Sequence, residues 1–121
     1  MLLHLTGSRD WDAAAASAEG GYRGDTLDTD GFIHLSAPHQ VLGPANRLFR
    51  GRTDVVLLVI DEARLGAGAD VRWEPGGAPG DGGELFPHLY SVLPVEAVAH
   101  VEPLRPDADG TFRTLPPLDL T

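Results

Sequence analysis

The chain has 121 residues and a mass of 12.8 kDa, which suits one domain and leaves too little sequence for a second core. Because it contains no cysteine, disulfides, thiol catalysis and cysteine-bound zinc are excluded. Its formal net charge of -9 argues against general nucleic-acid binding, and the absence of lysine excludes Schiff-base chemistry. No apolar run approaches the roughly 20 residues that span a bilayer, and the N-terminus lacks the pattern of a signal peptide, so we expect a cytoplasmic protein.

Apolar periodicity and turn residues divide the chain into short alternating elements. The pattern predicts strands at residues 2–6, 31–36, 54–60, 71–74, 85–90, 98–104 and 111–113, helices at 8–17 and 36–50, and loops at 22–30 and 75–83. The continuous apolar run from Val55 to Ile60 is typical of a central strand, whereas Pro87 indicates an edge strand or a bulge. Pro44 is expected to kink the second helix. This order predicts one α+β domain over residues 1–121, with a mixed or antiparallel sheet, two main helices and a proline-rich tail at 106–121.

Two of the predicted strands carry a histidine two residues before a hydroxyl side chain. Alternation along a strand places His4 and Thr6 on one face of the first strand, and His34 and Ser36 on one face of the second. If these strands are neighbours, the four side chains form a polar patch on a sheet face that is otherwise expected to be apolar. Such a patch usually marks a cleft, so we predict a catalytic or ligand-binding site there.

Further candidates lie later in the chain. Glu84 and His88 follow the glycine-rich loop directly, where a carboxylate or an imidazole could reach the cleft. Arg47, near the end of the second predicted helix, could bind a phosphate through two parallel hydrogen bonds. The remaining predicted ligand contacts are Asn46, Trp73 and Tyr90.

Each candidate also has an ordinary structural explanation. A histidine within a strand is often a hydrogen-bonded core residue or a half-exposed one. Glu84, which follows two glycines, and Glu74, which follows Trp73, have the pattern of solvated charges. Arg47 could simply complement the dipole at the C-terminal end of its helix.

The sequence resembles the family called domain of unknown function 952 (DUF 952). The resemblance extends over about residues 1–105. The residues that carry it are Leu3-His4-Leu5-Thr6, Trp11, Gly31-Phe32-Ile33-His34-Leu35-Ser36, residues 45–51, residues 57–61 and Gly83-Glu84-Leu85-Phe86-Pro87-His88-Leu89-Tyr90. The blocks around His34 and His88 are the specific ones. The family brings no settled activity with it.

The layout is also remotely similar to the ADP-ribosyltransferase-like fold, including the RNA 2′-phosphotransferases. That resemblance implies that His4 bonds the ribose hydroxyls of the nicotinamide half of NAD. It implies that His34 takes the place of the aromatic residue that stacks on nicotinamide. The sequence departs from that pattern in two places, because Leu5 stands where a glycine commonly follows the first histidine and His34 replaces the usual tyrosine.

The same resemblance implies roles for four further residues. Thr6 and Ser36 would bond the ligand nearby. Glu84 would be the carboxylate that orients the attacking hydroxyl, and His88 matches this late position almost as well.

Three functions therefore remain open. The first is an enzyme that binds NAD or a related nucleotide as substrate, with no tightly bound cofactor, and transfers or hydrolyses its ADP-ribosyl group. The second is a non-catalytic module that binds a small ligand or a protein. The third is a metal-dependent hydrolase built on His4, His34 and His88, although their spacing supplies no pair of ligands from one element, and we expect no metal. The oligomeric state is not predicted.

Overall fold

Two three-stranded antiparallel sheets form the framework of the protein. The computed structural model describes residues 1–78, 80 and 82–118, so two residues of the predicted loop at 75–83 and the last three of the predicted tail lie outside the described part. The strands are β1 Leu2–Gly7, β2 Gly21–Tyr22, β3 Ile33–His34, β4 Val55–Ile60, β5 Val71–Pro75, β6 Leu85–Leu89, β7 Leu93–Pro94 and β8 Val98–Pro103. The helices are α1 Ser8–Ala15, α2 Leu27–Asp30 and α3 Leu42–Phe49, with 3-10 turns at Glu62–Arg64 and Val95–Ala97.

The predicted α+β class is confirmed, with the sheets antiparallel and the helices short. Two of the helices have eight residues and the third has four. No helix in the described part of the chain is long and apolar enough to cross a membrane.

The first sheet has the order β1-β4-β8, and its middle strand separates two hydrophobic cores. Side chains alternate along β4, so Leu58 and Ile60 pack in one core while Leu57 and Val59 pack in the other. The prediction of a central strand at 54–60 is confirmed. A strand that meets a core on each face has no position for a polar side chain, which explains the unbroken apolar run.

The second sheet has the order β3-β6-β5, and the prediction that Pro87 marks an edge or a bulge is wrong. β6 is the middle strand, and Pro87 pairs with Trp73 of β5 within a regular register. On the other side, the carbonyl of Pro87 accepts the N–H of Leu35 at 2.9 Å, one residue beyond the end of β3. The N–H that proline lacks would face Leu35, where the short β3 has already ended, so a central strand tolerates the proline here.

Among the described residues, one isolated bridge joins the two sheets. The backbone N–H groups of Leu3 and Ser36 each donate to the other residue's carbonyl at 2.8 Å. This bridge brings the segments that carry His4 and His34 side by side, which is the arrangement that the predicted polar patch requires. The predicted strand at 31–36 is otherwise reduced to the two residues of β3.

The second main helix begins later than predicted, at Leu42 rather than at Ser36. Ser36 cannot cap a helix because both of its backbone groups are bonded to β1. The turn that precedes the helix is held instead by Gln40, whose side-chain oxygen accepts the N–H of Ala37 at 3.0 Å. Pro44 therefore lies in the first turn, where a proline is tolerated, and α3 runs through it.

The segment at 22–30, predicted as a loop, contains two short elements. Tyr22 belongs to β2, which pairs with β7, and α2 occupies the last four residues. Gly31 follows with φ of 88°, a left-handed conformation that ends α2 and turns the chain into β3. The first helix also ends earlier than predicted, at Ala15.

The C-terminal tail packs against the first sheet, and the described residues form no strand at 111–113. Phe112 is 1% exposed and belongs to the core that contains Leu57 and Val59. The Asn46 side chain donates to the carbonyl of Phe112 at 2.8 Å and accepts its N–H at 2.7 Å. An amide side chain thus supplies the hydrogen bonds that the predicted strand would have needed.

Candidate functional site

A cleft of about 340 Å³ lies where β1, the second sheet and α3 meet. Six of the predicted site residues line it: His4, Thr6, His34, Ser36, Arg47 and His88. Phe86 forms part of the wall, and a Cβ atom at Gly76 would lie 2.6 Å from its ring. Glycine at that position therefore lets the Phe86 ring lie against the backbone.

His4 has both ring nitrogens engaged within the protein. Nδ1 donates to the carbonyl of His34 at 2.6 Å, since a carbonyl can only accept, and Nε2 then accepts the hydroxyl of Tyr22 at 2.8 Å. Burial lowers the pKa of His4 to about 4, so the ring is neutral at pH 7. The ADP-ribosyltransferase resemblance implied that this residue bonds ribose hydroxyls, and for that a ligand would have to displace the hydroxyl of Tyr22 from Nε2.

His34 is the exposed histidine of the site. Its Nε2 lies 3.4 Å from Oδ2 of Asp30, and its ring meets the edge of the Phe32 ring at 4.7 Å between centroids. The side chain is 46% exposed, so it is free to meet a ligand at the mouth of the cleft.

A carboxylate, an imidazole and a phenol form a hydrogen-bonded cluster on the cleft face of the second sheet. His88 Nδ1 lies 3.0 Å from Oε1 of Glu74, and the Tyr90 hydroxyl donates to the same oxygen at 2.5 Å. The hydrogen bond from Tyr90 and, to a smaller extent, the one from His88 lower the pKa of Glu74. The same bond to Glu74 raises the pKa of Tyr90. The Arg72 guanidinium lies over the Tyr90 ring at 4.4 Å.

His88 is buried, and one of its nitrogens lacks a partner. The residue is 3% exposed, and Nε2 forms no hydrogen bond with any described residue. The Phe32 ring stacks on the imidazole, with the centroids 4.1 Å apart and the planes 19° apart. The Glu74 contact and the stacking fix the ring, while Nε2 remains unpaired.

Charges of both signs line the cleft. Asp10 and Asp25 lie on the side of β1 and β2, together with Arg52, whose guanidinium is held by Asp54 at 2.7 and 2.9 Å. Arg47 lies on α3 and forms no ion pair in the part of the chain that the structure describes. Arg47 is therefore the cation of the cleft that is available to an external anion.

Glu84 does not join the histidines, contrary to the prediction. It is exposed, and its Oε2 accepts Gln40 Nε2 at 2.8 Å. It lines a neighbouring depression of about 460 Å³, which shares Arg47 and Phe86 with the cleft. The reason is positional, because Glu84 precedes β6 while the cleft is lined from Phe86 onward.

Three other predicted ligand contacts also lie outside the cleft lining. The Asn46 amide is used to hold the tail. Trp73 is 49% exposed and shares a strand face with Val71, on the opposite side of the sheet from His88. Tyr90 reaches the site through Glu74 rather than through the cleft wall.

A three-histidine metal site is not formed. No group of three or more potential ligands comes together among the described residues, and His4 offers no free nitrogen. The metal-dependent hydrolase is therefore the least supported of the three functions.

Sequence reasoning did not single out Tyr22 and Phe32, and it gave Glu74 the pattern of a solvated charge. Tyr22 begins the predicted loop at 22–30, where no periodic pattern assigns a direction to a side chain. Phe32 could have been found, because alternation along the predicted strand at 31–36 places it on the same face as His34. Glu74 could have been found, because pairing the predicted strands at 71–74 and 85–90 in an antiparallel hairpin brings it near His88 once the register is known.

The family described as "Protein of unknown function (DUF952)" matches residues 5–101. The chain belongs to this family. A search of the curated proteins found no match.

Solved structures of one other protein are also similar. The crystal structure of protein CC0527 from Caulobacter crescentus is 39% identical, with a TM-score of 0.76, and the match covers 93% of this chain and 92% of that one. The solution NMR structure of CC0527 is 39% identical, with a TM-score of 0.72 and coverage of 93% and 90%. These matches support the fold of this DUF952 protein and name no ligand or activity.

Proposed function

We propose that the protein binds a nucleotide, NAD or a related molecule, in the cleft. The observation that carries this proposal is the guanidinium of Arg47, which forms no ion pair with any described residue and lies on a wall that also contains Pro44, Leu48 and Phe86. A guanidinium binds phosphate through two parallel hydrogen bonds, and apolar and aromatic side chains accommodate a base or a nicotinamide ring.

The size of the cleft supports a mononucleotide-sized group. Ligand pockets commonly measure roughly 300–1,000 Å³, and about 340 Å³ is at the small end of that range. The depression beside Glu84 shares Arg47 with the cleft, so a phosphate bound to Arg47 would leave room for the rest of the ligand in the cleft and in the depression. Asp10 and Asp25 would accept hydrogen bonds from ligand hydroxyl groups or lie near the positive charge of a nicotinamide ring.

Transfer or hydrolysis of the ADP-ribosyl group is the catalytic form of this proposal, in keeping with the remote resemblance to the ADP-ribosyltransferase-like fold. Glu74 is bonded to the buried imidazole of the cleft, whereas Glu84 is bonded to Gln40 outside it. In this form of the proposal Glu74 therefore orients His88, and Glu84 takes no part. Binding without turnover is the alternative, and release of nicotinamide separates the two.

A thermal-shift titration tests the proposal, with NAD, ADP-ribose, nicotinamide and inorganic phosphate as separate ligands. A ligand at about 100 times its dissociation constant adds about 2.7 kcal/mol to the free energy of unfolding. We expect NAD or ADP-ribose to raise the midpoint, and Arg47→Gln to weaken this binding by about tenfold or more. Nicotinamide is measured in the same samples.

Arg50→Gln is the matched control, because Arg50 also lies at the end of α3 but does not line the cleft. Equal loss of binding in both variants would mean that only the general charge of the helix end matters. No shift with any nucleotide at millimolar concentration would overturn the proposal.

A further inference from the structure

Glu74 determines which nitrogen of His88 carries the proton. A carboxylate only accepts hydrogen bonds, so the 3.0 Å contact requires a proton on Nδ1. In the neutral ring the lone pair is then on Nε2, which acts as an acceptor. The ring cannot turn over easily, because Phe32 stacks on its face and β6 holds its backbone between two strands.

The Glu74 carboxylate is itself fixed. The Tyr90 hydroxyl donates to the same Oε1 atom, so two donors orient one oxygen. The register of the sheet brings these groups together, since His88 pairs with Arg72 and Phe86 pairs with Glu74 on adjacent strands. The position of the Nε2 lone pair is therefore built into the sheet.

That lone pair is buried and unpaired, although the His88 side chain lines the cleft. Buried acceptors in native proteins nearly always have a donor, and one that lacks a donor destabilises its surroundings. A ligand that brings an O–H or N–H group to this position removes the deficit. A ligand without such a group leaves it in place.

His4 shows how the same fold satisfies an equivalent nitrogen. Its Nδ1 is also bonded to an acceptor, and its Nε2 accepts the hydroxyl of Tyr22 at 2.8 Å. At His88 no described side chain supplies that hydroxyl. The difference indicates that the missing donor comes from outside the chain.

We propose that His88 makes the cleft select a ligand that carries a sugar hydroxyl group as well as a phosphate, as a ribonucleotide does. This inference rests on the proposed nucleotide binding, in which Arg47 receives the phosphate. His88 accepts a hydrogen bond from a sugar hydroxyl through Nε2, and Glu74 and Tyr90 act as positioning residues. No bond is made or broken in this role.

The test compares AMP with its 2′,3′-dideoxy analogue, which has the same base and phosphate and lacks the sugar hydroxyls. In the unaltered protein we expect AMP to bind about tenfold more tightly, measured by titration calorimetry. In His88→Asn the side-chain amide keeps a donor toward Glu74 and removes the Nε2 acceptor, so the ratio should fall to about one. His100→Asn, on the outer strand of the first sheet, is the control and should keep the ratio.

Imidazole ¹⁵N NMR of the unliganded protein provides a second readout that does not depend on binding. We expect the neutral His88 ring to carry its proton on Nδ1, with the Nε2 signal shifting when AMP is added. A proton on Nε2, or equal binding of both nucleotides, would overturn the inference and leave nucleotide binding intact. Failure of both nucleotides to bind would overturn the proposed function itself and the inference with it.

Discussion

The two sheets differ in how completely their surfaces are covered. The first sheet meets a hydrophobic core on each face of β4, and its histidine, His4, has a partner for each ring nitrogen. The second sheet has a core on one face only, and on the other face His88 keeps an unpaired nitrogen beside the cleft. Two histidines that look alike in the sequence thus have different roles, and the difference lies in whether their hydrogen bonds are complete.

The largest expected effect tests whether the tail covers the outer face of the first sheet. Phe112→Ala removes a fully buried ring from the core formed with Leu57 and Val59, and we expect a loss of about 3–5 kcal/mol in the free energy of unfolding. Urea unfolding followed by circular dichroism measures this change. Leu48→Ala is the control, since Leu48 is 62% exposed, and its effect should stay within about 0.5 kcal/mol. A loss below about 1 kcal/mol for Phe112→Ala would mean that the tail does not cover this sheet.

The second prediction tests whether the pKa of His4 is lowered in the folded protein, as its burial and contacts indicate. Its pKa is about 4 in the folded protein against 6.5 when unfolded, so between these values the unfolded chain binds the additional proton. The contribution of neutral His4 to the free energy of unfolding is therefore complete above pH 6.5 and declines as the pH falls toward 4, by about 3 kcal/mol in total. The quantity to measure is the difference in this pH dependence between the unaltered protein and His4→Gln. The same pH dependence of stability in both proteins would show that the pKa of His4 is not lowered by folding.

The sequence predicts part of the fold and of the candidate site, and the features that it does not predict have physical causes. Alternation correctly grouped His4 with Thr6 and His34 with Ser36, because a two-residue period requires no knowledge of distant parts. The start of α3 could not be predicted, since the bridge between Leu3 and Ser36 overrides the capping preference of a serine.

The cluster around His88 shows a second limit of the sequence. Pairing Glu74 with His88 depends on the register of β5 against β6, which a pattern within one strand does not contain. The same register explains why Trp73 does not line the cleft, since it is one residue from Glu74 and therefore faces the other way.

The third prediction removes the hydroxyl that completes His4. Tyr22→Phe leaves the ring in place and takes away the donor to Nε2, so His4 acquires the unpaired nitrogen that His88 already has. We expect a loss of about 1–2 kcal/mol, measured as a lower midpoint in thermal unfolding. An unchanged midpoint would mean that water replaces the hydroxyl freely, and that the contrast between the two histidines is smaller than the contacts indicate.

The smallest expected effect concerns the two glutamates near β6. Glu84 is exposed and bonded to Gln40, which keeps a second acceptor in the carbonyl of Leu85 at 2.7 Å. Glu84→Gln should therefore leave NAD affinity within about twofold and leave the His88 imidazole signals unchanged, whereas Glu74→Gln should shift those signals. Calorimetry and ¹⁵N NMR on the two variants make the comparison directly. A selective loss of nicotinamide release in Glu84→Gln would instead mean that the reacting bond of the ligand lies in the depression beside the cleft. Glu84 would then be the carboxylate that orients the attacking hydroxyl, as the ADP-ribosyltransferase resemblance implied.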